Sequence, residues 1–288
     1  MRLFISVLIM FNIGCLFMAI PLDIHVLIDL VKIVFSLIVL FIFSIYDIKY
    51  RDIPDIYVWS FLGISIVLFI FTITQYEFTV FLISFIMMSL LFGGGVPLAL
   101  YFLGYMGAAD VIAIVSLAFL FPYTDIYKYS LLTSGVEGVH IPPVFVIILY
   151  STIVYLVYLP FKIMYILLVH RDKLPRNISY LLKLIYLLTG TPMKISDYLR
   201  KKHYYPLTVF KENDQGVEVI YRSSFSVEED YIDHHENLKR LISKGKISPN
   251  NYIWVTYGIP YIVLLLFGLV MLLIIGDYPL LLFLKFLV

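Results

Sequence analysis

Two aspartates pose the chemical question. Asp47 ends an apolar run and opens the stretch Asp47-Ile-Lys-Tyr-Arg-Asp-Ile-Pro-Asp55, which packs three carboxylates, Lys49 and Arg51 between two hydrophobic segments. Asp110 follows Gly107, Ala108 and Ala109 and opens another apolar run. An ionisable side chain beside a hydrocarbon phase is costly, which makes each a functional candidate by default. Two carboxylates brought face to face cannot both ionise cheaply, so one keeps its proton. The ionised member can take a proton from water while the protonated member polarises a peptide carbonyl. That chemistry hydrolyses a peptide and asks for no metal and no cofactor. Taken singly, Asp47 also fits a solvated helix flank and Asp110 a helix N-cap.

The elements that must carry these aspartates are membrane helices. The chain has 288 residues, 61% hydrophobic and 14% charged, with a mean hydropathy of +0.95. Soluble domains run at about 45–50% apolar and about 25% charged. Apolar runs near the length of about 20 residues that a spanning helix needs lie at 3–20, 26–46, 56–73, 78–103, 110–122, 143–168 and 252–275, the fifth being short. The expected fold is an all-α polytopic membrane protein of about six to seven transmembrane helices with a small cytosolic α+β insert. Residues 1–25 read as an extra N-terminal helix, retained rather than removed as a signal peptide. Residues 26–169 read as the transmembrane catalytic core, 170–250 as the insert, and 251–288 as the last helix and tail. Cys15, the single cysteine, excludes a disulfide framework and a cysteine-based zinc site.

Charge orients this scheme. The insert carries fourteen of the twenty-one basic residues, and the loop at 47–55 adds Lys49 and Arg51. Alternating span by span puts both, and the loop before Asp110, on one basic side, which the positive-inside rule makes cytoplasmic. Ten acidic residues interleave with the basic ones of the insert, so a nucleic-acid role has no support. Within the insert, residues 177–189 predict an interfacial helix. "LTVF" and "VEVIY" predict a hairpin, and "EEDYIDHHENLKRLISKGK" predicts a helix with its acids first and bases last, closed by Gly245.

Both aspartates then face the same membrane side from different helices. Gly107, Ala108 and Ala109 are small enough for a backbone to come close, and Gly93, Gly94, Gly95 and Gly104 offer similar packing. Asp110 at a helix start and Asp47 at a helix end favour Asp110 as base and Asp47 as acid by dipole alone, although Lys49 and Arg51 oppose that bias. Lys49 and Arg51 read as interface anchors. Asp52 and Asp55 suit contact with a basic peptide, or a turn and cap beside Pro54. Glu228, Glu229, Asp230, Asp233 and Glu236 read first as a solvated helix start. Asp29 and Lys32 are spaced to pair.

The run from Asp47 to Asp55 resembles the first signature of prepilin and preflagellin peptidases, where an aspartate ends a helix and "D-x-[RK]-x-x-x-I-P-[DN]" follows. "GAAD" at 107–110 resembles the GxGD motif of the same aspartyl proteases, with Ala109 in place of its second glycine. "WVTYGIPY" at 254–261 is similar to the "WVTP-x-IPF" of archaeal preflagellin peptidases, with Tyr257 in place of the proline. The resemblance covers about 26–276. It implies catalysis by Asp47 and Asp110, with Gly107, Ala108, Ala109, Lys49, Arg51, Asp52, Pro54 and Asp55 in motif or substrate-proximal positions and no metal or cofactor. It implies, as partners, precursors bearing a short basic class III-type leader ahead of a hydrophobic helix, cut at the cytoplasmic face of the cell membrane. Bacterial relatives add a zinc region with paired cysteines and an N-methyltransferase activity. This chain lacks those cysteines, so cleavage without methylation is expected.

Other chemistries fit less well. His235-Glu236-Asn237-Leu238-Lys239 lacks the second histidine of a zinc protease helix. "TSGVEGVH" at 133–140 lies in an outer loop, unsuited to a membrane serine protease. A presenilin-like protease needs a P-A-L tripeptide after the second aspartate, whereas "PLAL" at 97–100 precedes it. A transporter or structural protein with interhelical carboxylates is the alternative from another class.

Overall fold

A computed structural model describes residues 24–104, 106–132, 141–175, 178–213, 216–225, 229–258 and 260–287, with side chains to residue 283. The expected first helix with Cys15, the loop 133–140, Tyr105 and Glu228 lie outside the described residues.

Four helices are long and apolar enough to cross a membrane: α1 (Ile24–Tyr50), α2 (Asp55–Ile73), α3 (Val80–Phe102) and α5 (Pro143–Val169). Only 22–28% of the most apolar window of each is buried against protein, so the remaining apolar surface is free to meet lipid. Several buried hydroxyls of the apolar helices are satisfied locally. Ser44, Ser65 and Ser116 each donate to the carbonyl four residues back, at 2.7 Å. In α3 Gly93, within a π-helical stretch, Leu91–Gly95, is buried against the bundle. At Gly93 a Cβ would collide with the Ala118 methyl, so Gly93 provides the close packing expected of this glycine run.

Two apolar helices are shorter. Helix α4 (Ala108–Leu120) buries Val111, Ala113, Ile114, Leu117 and Leu120. Helix α9 (Tyr261–Ile275) passes so near α5 that a Cβ at Gly268 would overlap the Ile147 carbonyl oxygen. The run at 252–275 is therefore not one helix. Its start, Tyr252–Tyr257, is a strand (β5), and Gly276, with a φ of 62°, ends α9. A single core, with Leu40, Phe61, Leu117, Ile147 and Leu265 among its most buried members, joins α1, α2, α4, α5 and α9.

The polar insert begins with the expected amphipathic helix, α6 (Tyr180–Thr189), and continues directly into β1 (Gly190–Lys194). A short helix, α7 (Ile195–Tyr198), precedes β2 (Tyr204–Pro206), β3 (Thr208–Asn213), β4 (Gly216–Tyr221) and helix α8 (Tyr231–Ser243). The hairpin β3–β4 falls where the alternating runs predict it. Asp230 caps α8 by accepting from the Ile232 amide, and Gly245 follows in a left-handed conformation. β5 is the middle of an antiparallel sheet ordered β1-β5-β2, with Pro192 opposite Trp254 and Tyr204 opposite Tyr257. Trp254 roots the sheet on the membrane part. It packs with Ile166, Tyr186 and Leu207, and its indole N–H donates to the Lys173 carbonyl at 2.9 Å.

Candidate active site

Asp47 lies in the last turn of α1 and Asp110 in the first turn of α4. Both line a cavity of about 840 Å³ between the helices and the insert, and their charges are within reach of each other. The Asp110 carboxylate lies back against Gly107, where a Cβ would stand 3.4 Å from Oδ2. The Ile262 amide, in the first turn of α9, faces Asp47. The sequence pairing of a helix end with a helix start is thus realised around one space.

Arg51 lies elsewhere than expected. It is not an interface anchor. Its side chain is 11% exposed and its Nη1 lies 3.6 Å from Asp47 Oδ1. A φ of 56° turns the chain at Arg51 and folds the guanidinium back over α1. Lys49 does remain outside, over the Tyr50 ring. Asp47 Oδ2 and Arg51 Nη2 are buried with no hydrogen-bond partner among the described residues. Buried polar atoms are nearly always satisfied, so such atoms mark a place where another group completes the set.

The remaining expected residues divide. Gly107 lines the cavity, Ala109 packs on the helical core, and Ala108 is exposed. Asp52, Pro54 and Asp55 are exposed on the α1–α2 turn, outside the cavity, with Pro54 preceding the first turn of α2. Glu229 holds Arg222 at 2.8 Å and His234 at 2.9 Å, which fixes it inside the insert. Asp29 and Lys32 pair at 2.7 Å, as their spacing predicts.

Residues from the insert and from α5 complete the wall, and among them Tyr257 lies in a motif, the stretch 254–261. Tyr155, Tyr158 and Lys162 come from α5, and Lys201, Tyr205 and Tyr257 from the insert. The Lys162 ammonium donates to the Leu188 carbonyl at 3.0 Å. His203 also lines the cavity. Desolvation first, then Arg51 and Lys202, hold its imidazole below the usual value, so it is neutral near pH 7. The wall therefore presents three cations, Arg51, Lys162 and Lys201, and tyrosine rings around two carboxylates.

A family model described as the type IV leader peptidase family, Peptidase A24, matches residues 34–160, which hold both aspartates. A second, described as archaeal Peptidase A24 C-terminus type II, matches residues 182–278, which hold the insert sheet and α9. A comparison with individual curated proteins gives no match. With both aspartates inside one matched segment and the insert sheet and α9 inside the other, the chain belongs to the Peptidase A24 family of type IV leader peptidases, in its archaeal, prepilin and preflagellin peptidase branch.

Proposed function

We propose that this membrane protein is an aspartyl endopeptidase that removes the short basic leader from pilin-like or archaellin-like precursors at the cytoplasmic face, with Asp47 and Asp110 activating water. The observation that carries the proposal is that two carboxylates from separate helices line one cavity, within the segment matched by the leader peptidase family. A water held between them loses a proton to the ionised carboxylate as its oxygen adds to the scissile carbonyl carbon. The protonated carboxyl donates to the carbonyl oxygen. Collapse of the tetrahedral intermediate returns a proton to the departing amine and leaves a free acid and a free N-terminus.

The roles within the pair favour Asp47 as base, the reverse of the helix-end expectation. A helix terminus offers about half a charge, whereas Arg51 places a whole one 3.6 Å from Asp47. At equal distance the larger charge dominates. Asp110 is then the proton donor to the carbonyl.

The precursor's geometry follows from its chemistry. Its hydrophobic helix stays in lipid, and the peptide at the junction enters between the carboxylates. Arg51, Lys162 and Lys201 repel a basic leader from the cavity itself, and Asp52 and Asp55 offer it an exposed acidic turn. The insert, 170–250, is cytosolic in this arrangement, and β5 joins it although it lies beyond that boundary. Helices α4 and α9, with 13 and 15 residues, reach about 20 Å at 1.5 Å per residue. The turns that follow them, Phe121-Pro122 and Gly276-Asp277, are buried in protein, which is where non-helical backbone is tolerated at membrane depth.

Co-expression with a tagged precursor tests the proposal. The wild type shortens the precursor on a gel, and Asp47→Asn and Asp110→Asn leave it full length. Shortening by either variant contradicts it. Labelled S-adenosylmethionine leaves the product unlabelled if cleavage proceeds without methylation.

A further inference from the structure

Arg51 takes the left-handed backbone conformation just past α1, a place that suits glycine and strains a residue with a Cβ. Its amide donates to the Asp47 carbonyl at 3.3 Å, so the turn closes the helix that carries Asp47. Strain of this kind persists where the surrounding structure demands it. Here the demand comes from the side chain, which is gripped from two sides.

On one side Nη1 lies 3.6 Å from Asp47 Oδ1. On the other Nε donates to the Tyr257 hydroxyl at 3.2 Å, and Cζ stands 4.0 Å from the centre of the Tyr257 ring. Tyr257 ends β5, opposite Tyr204, whose ring packs against its own at 4.8 Å. A continuous path of contacts thus runs from the insert sheet through one arginine to one carboxylate. The grip takes the Oδ1 side of Asp47 and leaves Oδ2 without a hydrogen-bond partner among the described residues.

We infer that Tyr257 positions Asp47 through Arg51, which makes the insert a working part of the catalytic centre. The inference rests on the aspartyl reading of Asp47. Tyr257 acts at one remove and is a positioning residue. Besides Arg51 and Tyr257, the charged or titratable side chains lining the cavity with Asp47 are Asp110 from α4, Tyr155, Tyr158 and Lys162 from α5, Tyr261 from α9 and, in the insert, Lys201, His203, Tyr204 and Tyr205. None of these is removed by a change at Tyr257, so a shift produced there reports the Arg51 contact.

The test uses the full-length protein in lipid vesicles, with a tagged precursor and initial rates across pH. Tyr257→Ala removes both the ring and the hydroxyl. It lowers kcat by about 10-fold with KM within about 3-fold, since only a transition-state contribution is lost. It also moves the acid limb of the pH–rate profile upward by about half a unit, because a carboxylate with a looser cation is protonated more readily. Tyr257→Phe keeps the ring and moves the limb in the same direction by less. Arg51→Lys retains more kcat than Arg51→Gln.

An unchanged kcat and acid limb in the Tyr257 variants overturns the inference. So does a change confined to KM, which would make Tyr257 a substrate contact. Where Tyr257→Ala is poorly folded, the near-isosteric Tyr257→Phe profile decides. Asp47→Asn and Asp110→Asn are assayed beside them. Loss of cleavage in these two with wild-type behaviour at Tyr257 removes only the positioning claim, whereas cleavage retained by either removes the two-carboxylate reading.

Discussion

Two groups of charged residues sit near opposite ends of α1, made from the same residue types and put to different use. At one end Asp29 pairs with Lys32 and, nearby, Asp125 with Lys128, each at 2.7 Å. Lys32 is buried and also reaches Thr72 at 3.4 Å. The adjoining cavity has a volume of about 260 Å³. At the other end, about 27 Å away along the helix at 1.5 Å per residue, Asp47 meets its cation at 3.6 Å and keeps one oxygen free beside a cavity of about 840 Å³. Carboxylates with a close cation of their own hold a fold together. A carboxylate that shares its space with a second one and keeps an oxygen free is equipped for chemistry.

Substitution separates the two ends most sharply. Asp47→Asn and Asp110→Asn are expected to lower cleavage by ~1,000-fold or more, as loss of one member of a catalytic pair does. Asp29→Asn leaves cleavage per folded molecule within about 3-fold but strands the Lys32 charge, which costs about 3 kcal/mol of stability. Thermal melting in detergent beside a cleavage assay reads both effects.

A change in the helical core, away from both charged groups, comes next. Gly268→Ala sets a methyl against the Ile147 backbone, which cannot yield as a flexible side chain would. Overpacking of this kind costs about 2–3 kcal/mol. The melting temperature falls, and the cleavage rate of the protein that remains folded changes little.

Milder effects sharpen the account of the substrate. Asp52→Asn combined with Asp55→Asn is expected to raise KM for a basic leader by about 3-fold with little change in kcat, since exposed charges at a rim contribute little each. A precursor with a neutral leader loses that difference, which kinetic assays on the two precursors would detect.

The smallest effect lies in the insert, at Glu212. Lys244 at 2.8 Å and Lys246 at 2.6 Å hold its carboxyl down at about 2, against an ordinary 4.5. The folded value is the lower one, so the stabilisation is complete above about pH 4.5 and is lost as the pH falls toward 2. Glu212→Gln flattens the acid-side decline in melting temperature between pH 5 and 3, and added salt shrinks the difference.

The composition and apolar runs made the membrane helices legible, and the two aspartates stood out because charge is costly there. β5 was not legible. Ile253, Trp254 and Val255 are as apolar as the helix after them, and a hydropathy window cannot divide the run. The signals were the β-branched residues and the breaker Gly258-Ile259-Pro260 ahead of α9. β1 was hidden by its brevity and by Pro192. Arg51 was misplaced because sequence spacing assumes ordinary backbone, and a single left-handed residue reverses where a side chain points. The wall contributed by Lys162, Lys201 and Tyr257 depends on long-range folding of the insert onto the helices, which no local pattern records. Tyr257 carried a faint sign, since it departs from the proline of the resembling stretch.

The central claim is that Asp47 and Asp110 act as one unit. Groups that share one step lose their effect once, so removing the second costs little after the first is gone. The most direct measurement is the single-turnover cleavage rate of Asp47→Asn, Asp110→Asn and the double variant on one precursor in one membrane. The account predicts three rates equally low, within about 3-fold of one another. Losses that multiply in the double variant, or a single variant that still cleaves at a substantial rate, would contradict it.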